Sequence, residues 1–153
     1  FRGAFCTTLC HSFFKNCPND PAIFSSAQNY REYQYSEEMV NAYWHKNQKA
    51  DRIHLAILEN TALIGEIILK KIDWSQMHCT LSIHLINDAV KNYGYGTEAL
   101  RQVINYMRDH LKMKTVYADT IIQNTRSQHV LEKVGFTRIG QDAEFAYFSY
   151  ILM

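Results

Sequence analysis

The chain has 153 residues, a length that suits one domain built around a single core. Sixteen Lys and Arg against fifteen Asp and Glu leave a net charge of +1, which excludes the basic footprint of an electrostatic nucleic-acid binder. With 47 % hydrophobic and 20 % charged residues and only two prolines, neither disorder nor a low-complexity linker is indicated.

No apolar run approaches the roughly 18 residues of a membrane-crossing helix. Even "LAILENTALIGEIIL" is broken by Glu59, Asn60, Thr61 and Glu66. Cys6, Cys10, Cys17 and Cys79 are too few and too unevenly spaced for a disulfide framework, so reduced thiols and a cytoplasmic setting are expected. Cys6, Cys10, His11 and Cys17 carry zinc-ligand chemistry without the paired short spacings of a zinc site, and no metal site is predicted. The chain starts at Phe1, and what precedes it is left open.

Residues 1–50 are rich in aromatics ("SFF", "NYREYQY", "NAYWH"). Ser36 is placed to cap a helix through "SEEMVNAYWHKNQ", with Glu37 and Glu38 in its first turn and Met39, Val40, Tyr43 and Trp44 on one face, read as core. From Arg52 the texture changes to strands. "RIHLAILE", "LIGEIILKKI" and "MHCTLSIHLI", joined by short connections, predict an antiparallel meander. In the third, Thr80, Ser82 and His84 alternate with Leu81, Ile83 and Leu85, so His84 falls on the more polar face. It is read either as a surface or cleft-lining histidine or as a base near a substrate amine.

"VKNYGYGTEAL" then brings Gly94 and Gly96 ahead of a helix on which Leu100, Val103, Ile104, Met107 and Leu111 share a face, with Lys112 at its end. "KTVYADTII" reads as a strand. "NTRSQHVLEKVGF" reads as a helix begun at or just after Asn124 and closed by Gly135, and the strand pair "TRIGQD" and "EFAYFSYIL" completes the chain.

The glycine pair admits two readings: a plain tight turn, or a backbone that must come close to a phosphate. A helix N-terminus offers unpaired N–H groups and the positive end of the macrodipole. No Lys-Ser or Lys-Thr follows the glycines, so a Walker A loop is excluded, and no third glycine supports a dinucleotide fingerprint.

A second motif decides between these readings. "KNYGYGTEA" and, about 30 residues on, "NTRSQHVLEKVGF", separated by one helix and one strand, together resemble the GCN5-related N-acetyltransferase (GNAT) superfamily. The resemblance points to its RimJ/RimL-like branch, whose founding members acetylate the N-termini of ribosomal proteins. It covers roughly residues 55–150; the first 50 residues resemble the family only through "NDPAIF". The implied fold is α/β (α+β), a mixed, mostly antiparallel central sheet flanked by helices, with a splayed strand pair for acetyl-CoA. Residues 1–153 would form one acetyltransferase domain, 1–50 on the acceptor side and 51–153 as the acetyl-CoA-binding core.

The same resemblance implies roles. The family loop Q/R-x-x-G-x-G/A matches Lys91, Asn92, Tyr93, Gly94, Tyr95 and Gly96, with Lys91 where Gln or Arg is usual. Amides from about Tyr93 to Thr97 would hold the coenzyme A pyrophosphate. The strand ending near Leu85 and Ile86 would splay from "KTVYADTII" to admit the pantetheine arm as an extra strand, and Asn124 would contact that arm. Many members carry a tyrosine seven residues after this asparagine, which protonates the departing thiolate. Leu131 stands there, and Ser127 is the candidate to replace it, with a helix-start role bonding backbone as its alternative. Glu66, His84 and Asp119 are candidate bases, acting directly or through water.

The expected activity is acetyl-CoA-dependent N-acetyl transfer to a primary amine, with a peptide or protein N-terminal amine favoured. A polyamine or drug acetyltransferase and a non-catalytic acyl-CoA sensor are the alternatives. The expected partners are acetyl-CoA and the amine acceptor, with no nucleic acid or membrane, in a monomer or homodimer.

Overall fold

The computed structural model describes Lys15 and residues 35–47, 49–85 and 94–152. Among these residues the chain runs α1 (Glu37–Asn47), β1 (Ile53–Glu59), β2 (Ala62–Asp73), β3 (His78–Leu85), α2 (Tyr95–Asp109), β4 (Thr115–Ile121), α3 (Thr125–Val134), β5 (Thr137–Gln141) and β6 (Phe145–Ile151). The six strands form one sheet in the order β1-β2-β3-β4-β6-β5. Every neighbouring pair is antiparallel except β3 and β4. The expected class, a mixed and mostly antiparallel sheet flanked by helices, is the class observed.

The meander forms because β1, β2 and β3 alternate and are joined tightly. Asn60 and Met77, at φ 55° and 56°, take the left-handed conformation that tight connections require. In the β2–β3 turn, Asp73 Oδ1 accepts from the amides of Ser75 and Gln76 at 2.9 Å each. These bonds, with the Ser75 hydroxyl first among them, hold the Asp73 carboxyl below its ordinary value.

One sheet face carries the core. Ile67, Leu69, Cys79, Leu81, Val116, Ala118, Ala146 and Phe148 point into it and meet Leu100, Val103, Ile104 and Met107 of α2 and Leu131 of α3. Phe148, fully buried, contributes about 1.5–3 kcal/mol by leaving water. Cys79 is a core thiol: its Sγ lies 3.7 Å from Met107 Sδ, and burial pushes its pKa up to about 11. Cys6, Cys10, His11 and Cys17 lie outside the described residues.

The opposite face of β1 and β2 is covered by α1. Ser36 caps that helix, its Oγ accepting from the amide of Met39 at 3.1 Å. Val40 is fully buried and Tyr43 and Trp44 are half-buried, but Met39 is exposed and does not join the core face expected for it. Helix α2 is shifted towards its N-terminus relative to the sequence reading, starting at Tyr95 and ending at Asp109. Lys112, expected in its last turn, sits at φ 58° in the connection that follows. Helix α3 ends as expected on Gly135, at φ 116°; the amide of Phe136 donates to Leu131 O at 3.0 Å and that of Gly135 to Glu132 O at 3.0 Å.

The parallel ladder is short. It pairs His78 with Thr115 and ends at Leu81 with Ala118, although β3 runs on to Leu85 and β4 to Ile121. Beyond that last pair the two strands part, as the sequence reading expected of the strand ending near Leu85. The gap opens at the end of β3 that leads towards α2.

Candidate active site

Three elements converge on this gap. The first is the start of α2. Gly94 is its N-cap at φ 83° and ψ 0°, a left-handed conformation that side-chain-bearing residues resist. The amides that follow, those of Tyr95, Gly96 and Thr97, lie in the first turn, where helix geometry supplies no intrahelical acceptor. Gly96 has a different rationale, since its φ is not positive. A Cβ placed on it would meet only Leu85 Cδ1, at an ordinary 3.8 Å, so the chain's own packing does not demand glycine there. Leu85, at the end of β3, is thus beside the helix start. Ile86, Lys91, Asn92 and Tyr93, also expected at this site, lie outside the described residues.

The second element is α3. Asn124 is its N-cap, and its Oδ1 accepts from the amide of Ser127 at 3.1 Å. The cap therefore occupies the asparagine's oxygen and fixes the first turn, on which Ser127 sits partly buried. Gln128, one residue on, donates from Nε2 to Ile122 O at 2.6 Å and so holds the end of β4 against the helix. Leu131 is a buried core residue with no polar group to offer.

The third element is the sheet face opposite the core. Glu66 on β2 pairs with His84 on β3 and with Ala56 on β1. It is 1 % exposed, hence an internal carboxylate. Its Oε1 lies 3.4 Å from His84 Nδ1 and 3.4 Å from the hydroxyl of Tyr43, which donates to it from α1. Its Oε2 lies 3.8 Å from His54 Nδ1, an ion-pair contact too long for a formed hydrogen bond. Burial pushes the Glu66 carboxyl up, but the two imidazoles together outweigh it and hold the pKa below the ordinary value of 4.5. Glu66 is therefore ionised at neutral pH. The side chain of His84 is half exposed, so one end of its ring meets a buried anion and the other is open.

Asp119 is the first residue of β4 past the ladder. Lys70, reaching across from β2, meets its Oδ1 at 3.8 Å. The structure thus brings Glu66 and His84 together, pairs Asp119 with a cation, and sets Ser127 on a separate helix. Among the described residues no group of His, Cys, Asp or Glu is arranged to hold a metal ion, and no helix is long and apolar enough to cross a membrane.

Sequence reasoning had not singled out His54 or Gly65, and had placed Tyr43 only in a core face. His54 is the diagonal neighbour of Glu66, because its own cross-strand partner is Ile68. That signal lies in the strand register, which a local pattern does not give.

A family model described as the acetyltransferase (GNAT) domain matches residues 12–137 of the chain. The chain belongs to the GNAT acetyltransferase family. This GNAT domain is 27 % identical over 116 residues to the probable N-acetyltransferase YjcK of Bacillus subtilis strain 168, a match spanning 74 % of this chain and 64 % of the relative. The chain thus spans less than two thirds of that curated relative's length. Among solved structures, a chimera of spermidine N-acetyltransferase SpeG from Vibrio cholerae and hSSAT superposes with a TM-score of 0.77 at 13 % identity, covering 98 % of this chain and 93 % of that one. The Vibrio cholerae spermidine N-acetyltransferase in complex with CoA and spermine gives 0.74 at 14 % identity, covering 95 % and 89 %. At those identities the likeness establishes the GNAT fold.

Proposed function

We propose that this GNAT domain is a RimJ/RimL-like N-acetyltransferase that moves the acetyl group of acetyl-CoA to a primary amine, with a peptide α-amine as the favoured acceptor. The observation that carries the reading is the gap between β3 and β4. It opens beside the glycine-started helix α2, with an ionised, buried Glu66 and a half-exposed His84 near the same end of β3.

The first turn of α2 supplies amides and a positive dipole end for the pyrophosphate of coenzyme A. Past Leu81, β3 is no longer paired with β4 among the described residues, and the backbone groups on that edge, those not turned to β2, are assigned to the pantetheine arm and to the oxygen of the thioester carbonyl. The reaction joins the amine nitrogen to the thioester carbon, takes one proton from the nitrogen and releases the thiol. His84 is assigned as the base. With Nδ1 turned to Glu66, the imidazole keeps Nε2 as the acceptor, and the carboxylate stabilises the imidazolium once the proton arrives. Ser127 is assigned to the departing sulfur. Asn124 keeps one amide nitrogen for the arm while its oxygen caps α3.

Gly96→Val is expected to weaken acetyl-CoA binding by about tenfold or more, because the added branches would enter the space in front of the helix amides, while the Cβ itself meets the chain only at an ordinary 3.8 Å, on Leu85 Cδ1. Isothermal titration of the folded variant checks this, and wild-type affinity would remove residues 94–97 from the site.

The acceptor preference rests on charge. A polyamine is held best by uncompensated carboxylates. Of the two carboxylates named at this gap, Glu66 is faced by imidazoles and Asp119 is paired with Lys70. The near side of α1 offers instead the half-buried Tyr43 and Trp44. A peptide panel should therefore be acetylated faster than spermidine when thiol release is followed at equal concentrations. Faster turnover of spermidine would shift the assignment to the chemistry named for the Vibrio relative. A cytoplasmic protein acting as a monomer or homodimer completes the proposal, checked by cell fractionation and light scattering.

A further inference from the structure

We propose that His54 is a positioning residue of this site: from β1 it takes the Oε2 side of the Glu66 carboxylate and so limits how much of that charge is turned onto His84 from Oε1. The inference rests on the assignment of His84 and Glu66 given above and extends it to a residue outside the gap.

A buried carboxylate needs polar company on both oxygens, because each lone pair withdrawn from water costs free energy unless it is met. Oε1 has Tyr43 and His84. Oε2 has no hydrogen-bond partner among the described residues, and its ion-pair neighbour there is His54 Nδ1. The arrangement around His54 is restrictive. The residue is 8 % exposed, with Tyr43 at 6.5 Å and 77° and Trp44 at 6.3 Å and 66° from its ring, both edge-on from α1. Ala56, the direct cross-strand partner of Glu66, is small, which leaves the diagonal space that the imidazole occupies. The titratable groups in contact with Glu66 among the described residues are Tyr43 from α1, His54 from β1 and His84 from β3.

Removing His54 leaves Oε2 without this neighbour, so the carboxylate turns its charge more fully onto His84. The His84 imidazolium is then better stabilised, and its titration moves to higher pH. The same geometry ties α1 to the base, since Tyr43 touches both the carboxylate and the ring that holds it.

The experiment is an NMR titration of the histidine Cε1–H signals in the free protein, which needs no acceptor; His84 is assigned by the signal missing in His84→Gln. In His54→Leu the His84 midpoint should rise by about half a pH unit or more. His54→Asn, whose side-chain N–H falls at the place of Nδ1, should keep the midpoint near wild type. His54→Gln, whose N–H falls at the place of Nε2, should raise it. The Asn and Gln pair keeps the test decisive if the Leu variant does not fold, and equal midpoints in wild type, Asn and Gln variants would overturn the proposal. Glu66→Gln separates it from the reading beneath. That variant should lower the His84 midpoint; no change would sink the Glu66–His84 pair itself, whereas a Glu66 effect with no His54 effect would sink the positioning role alone.

Discussion

Gly65→Ala is expected to destabilise the protein by about 2–3 kcal/mol and to lower its melting temperature by roughly 5–10 °C. A Cβ on Gly65 would sit 2.5 Å from the carbonyl oxygen of His84, closer than such atoms approach. It would also lie 3.1 Å from Ile57 Cδ1 and 3.1 Å from Leu85 Cδ2, but those are ends of side chains that can rotate. The oxygen belongs to the backbone of β3 and can retreat only if the strand does. Gly65 pairs with Leu85, and the next pair along is Glu66 with His84, so the displacement falls on the site as well as on the ladder. The control is Gly140→Ala on β5: nothing lies within 4 Å of the position and its φ is not positive, so a change within about 0.5 kcal/mol is expected. Differential scanning calorimetry of the two variants decides. A Gly65→Ala protein melting with wild type would show that β2 and β3 have slack where the geometry gives none.

Gly65 also shows where sequence reading ends. The alternation of "MHCTLSIHLI" was enough to put His84 on the face opposite Leu81, and two glycines before an amphipathic run were enough to place a helix start just past them, at Thr97 against the observed Tyr95, because both signals are local and follow from side-chain direction. The six-stranded sheet follows from those strands and their short connections. The burial of Glu66 does not. Within "LIGEIILKKI" a glutamate reads as a surface residue of a half-buried strand, whereas β2 lies between β1 and β3 with α1 over one face and the core on the other. Which histidines flank Glu66 depends on two registers, Ala56 against it on one side and His84 on the other. A slip of one residue in either would turn a different set of side chains towards it. Asp119 was legible as a polar residue on a strand, but its pairing with Lys70 spans the intervening strand β3 and carries no trace in the local pattern. The proposed donor site, built from backbone and glycine, leaves a local imprint. The proposed proton-handling side is built from side chains brought together across strands.

His84→Gln is expected to lower kcat by about 10²–10³-fold while leaving acetyl-CoA binding within about twofold of wild type. The substitution keeps the backbone groups assigned to the donor and changes only the imidazole. It lies on the sheet face opposite the core, its Nδ1 facing a buried carboxylate, whereas the first turn of α2 is assigned to the donor through backbone groups. Glutamine fills similar space but cannot accept and carry a proton, so the loss falls on the chemical step. Glu66→Gln leaves the base in place and removes the anion that stabilises its protonated form. The imidazolium is then less favoured, the base loses its proton more readily, and the acidic limb of the kcat/KM profile moves to lower pH with a smaller loss at its plateau. Ser127→Ala should cost about tenfold in kcat, since a neutral hydroxyl helps a thiolate leave less than a base helps an amine attack; the Asn124 cap bonds the Ser127 amide and survives the change. Asp119→Asn should alter kcat by less than about threefold, because Lys70 already balances that charge and the base role is assigned elsewhere. Steady-state kinetics of the four variants with one peptide acceptor rank the groups. A His84→Gln enzyme with wild-type kcat would move the base off β3, and a larger loss in Asp119→Asn would put it on β4.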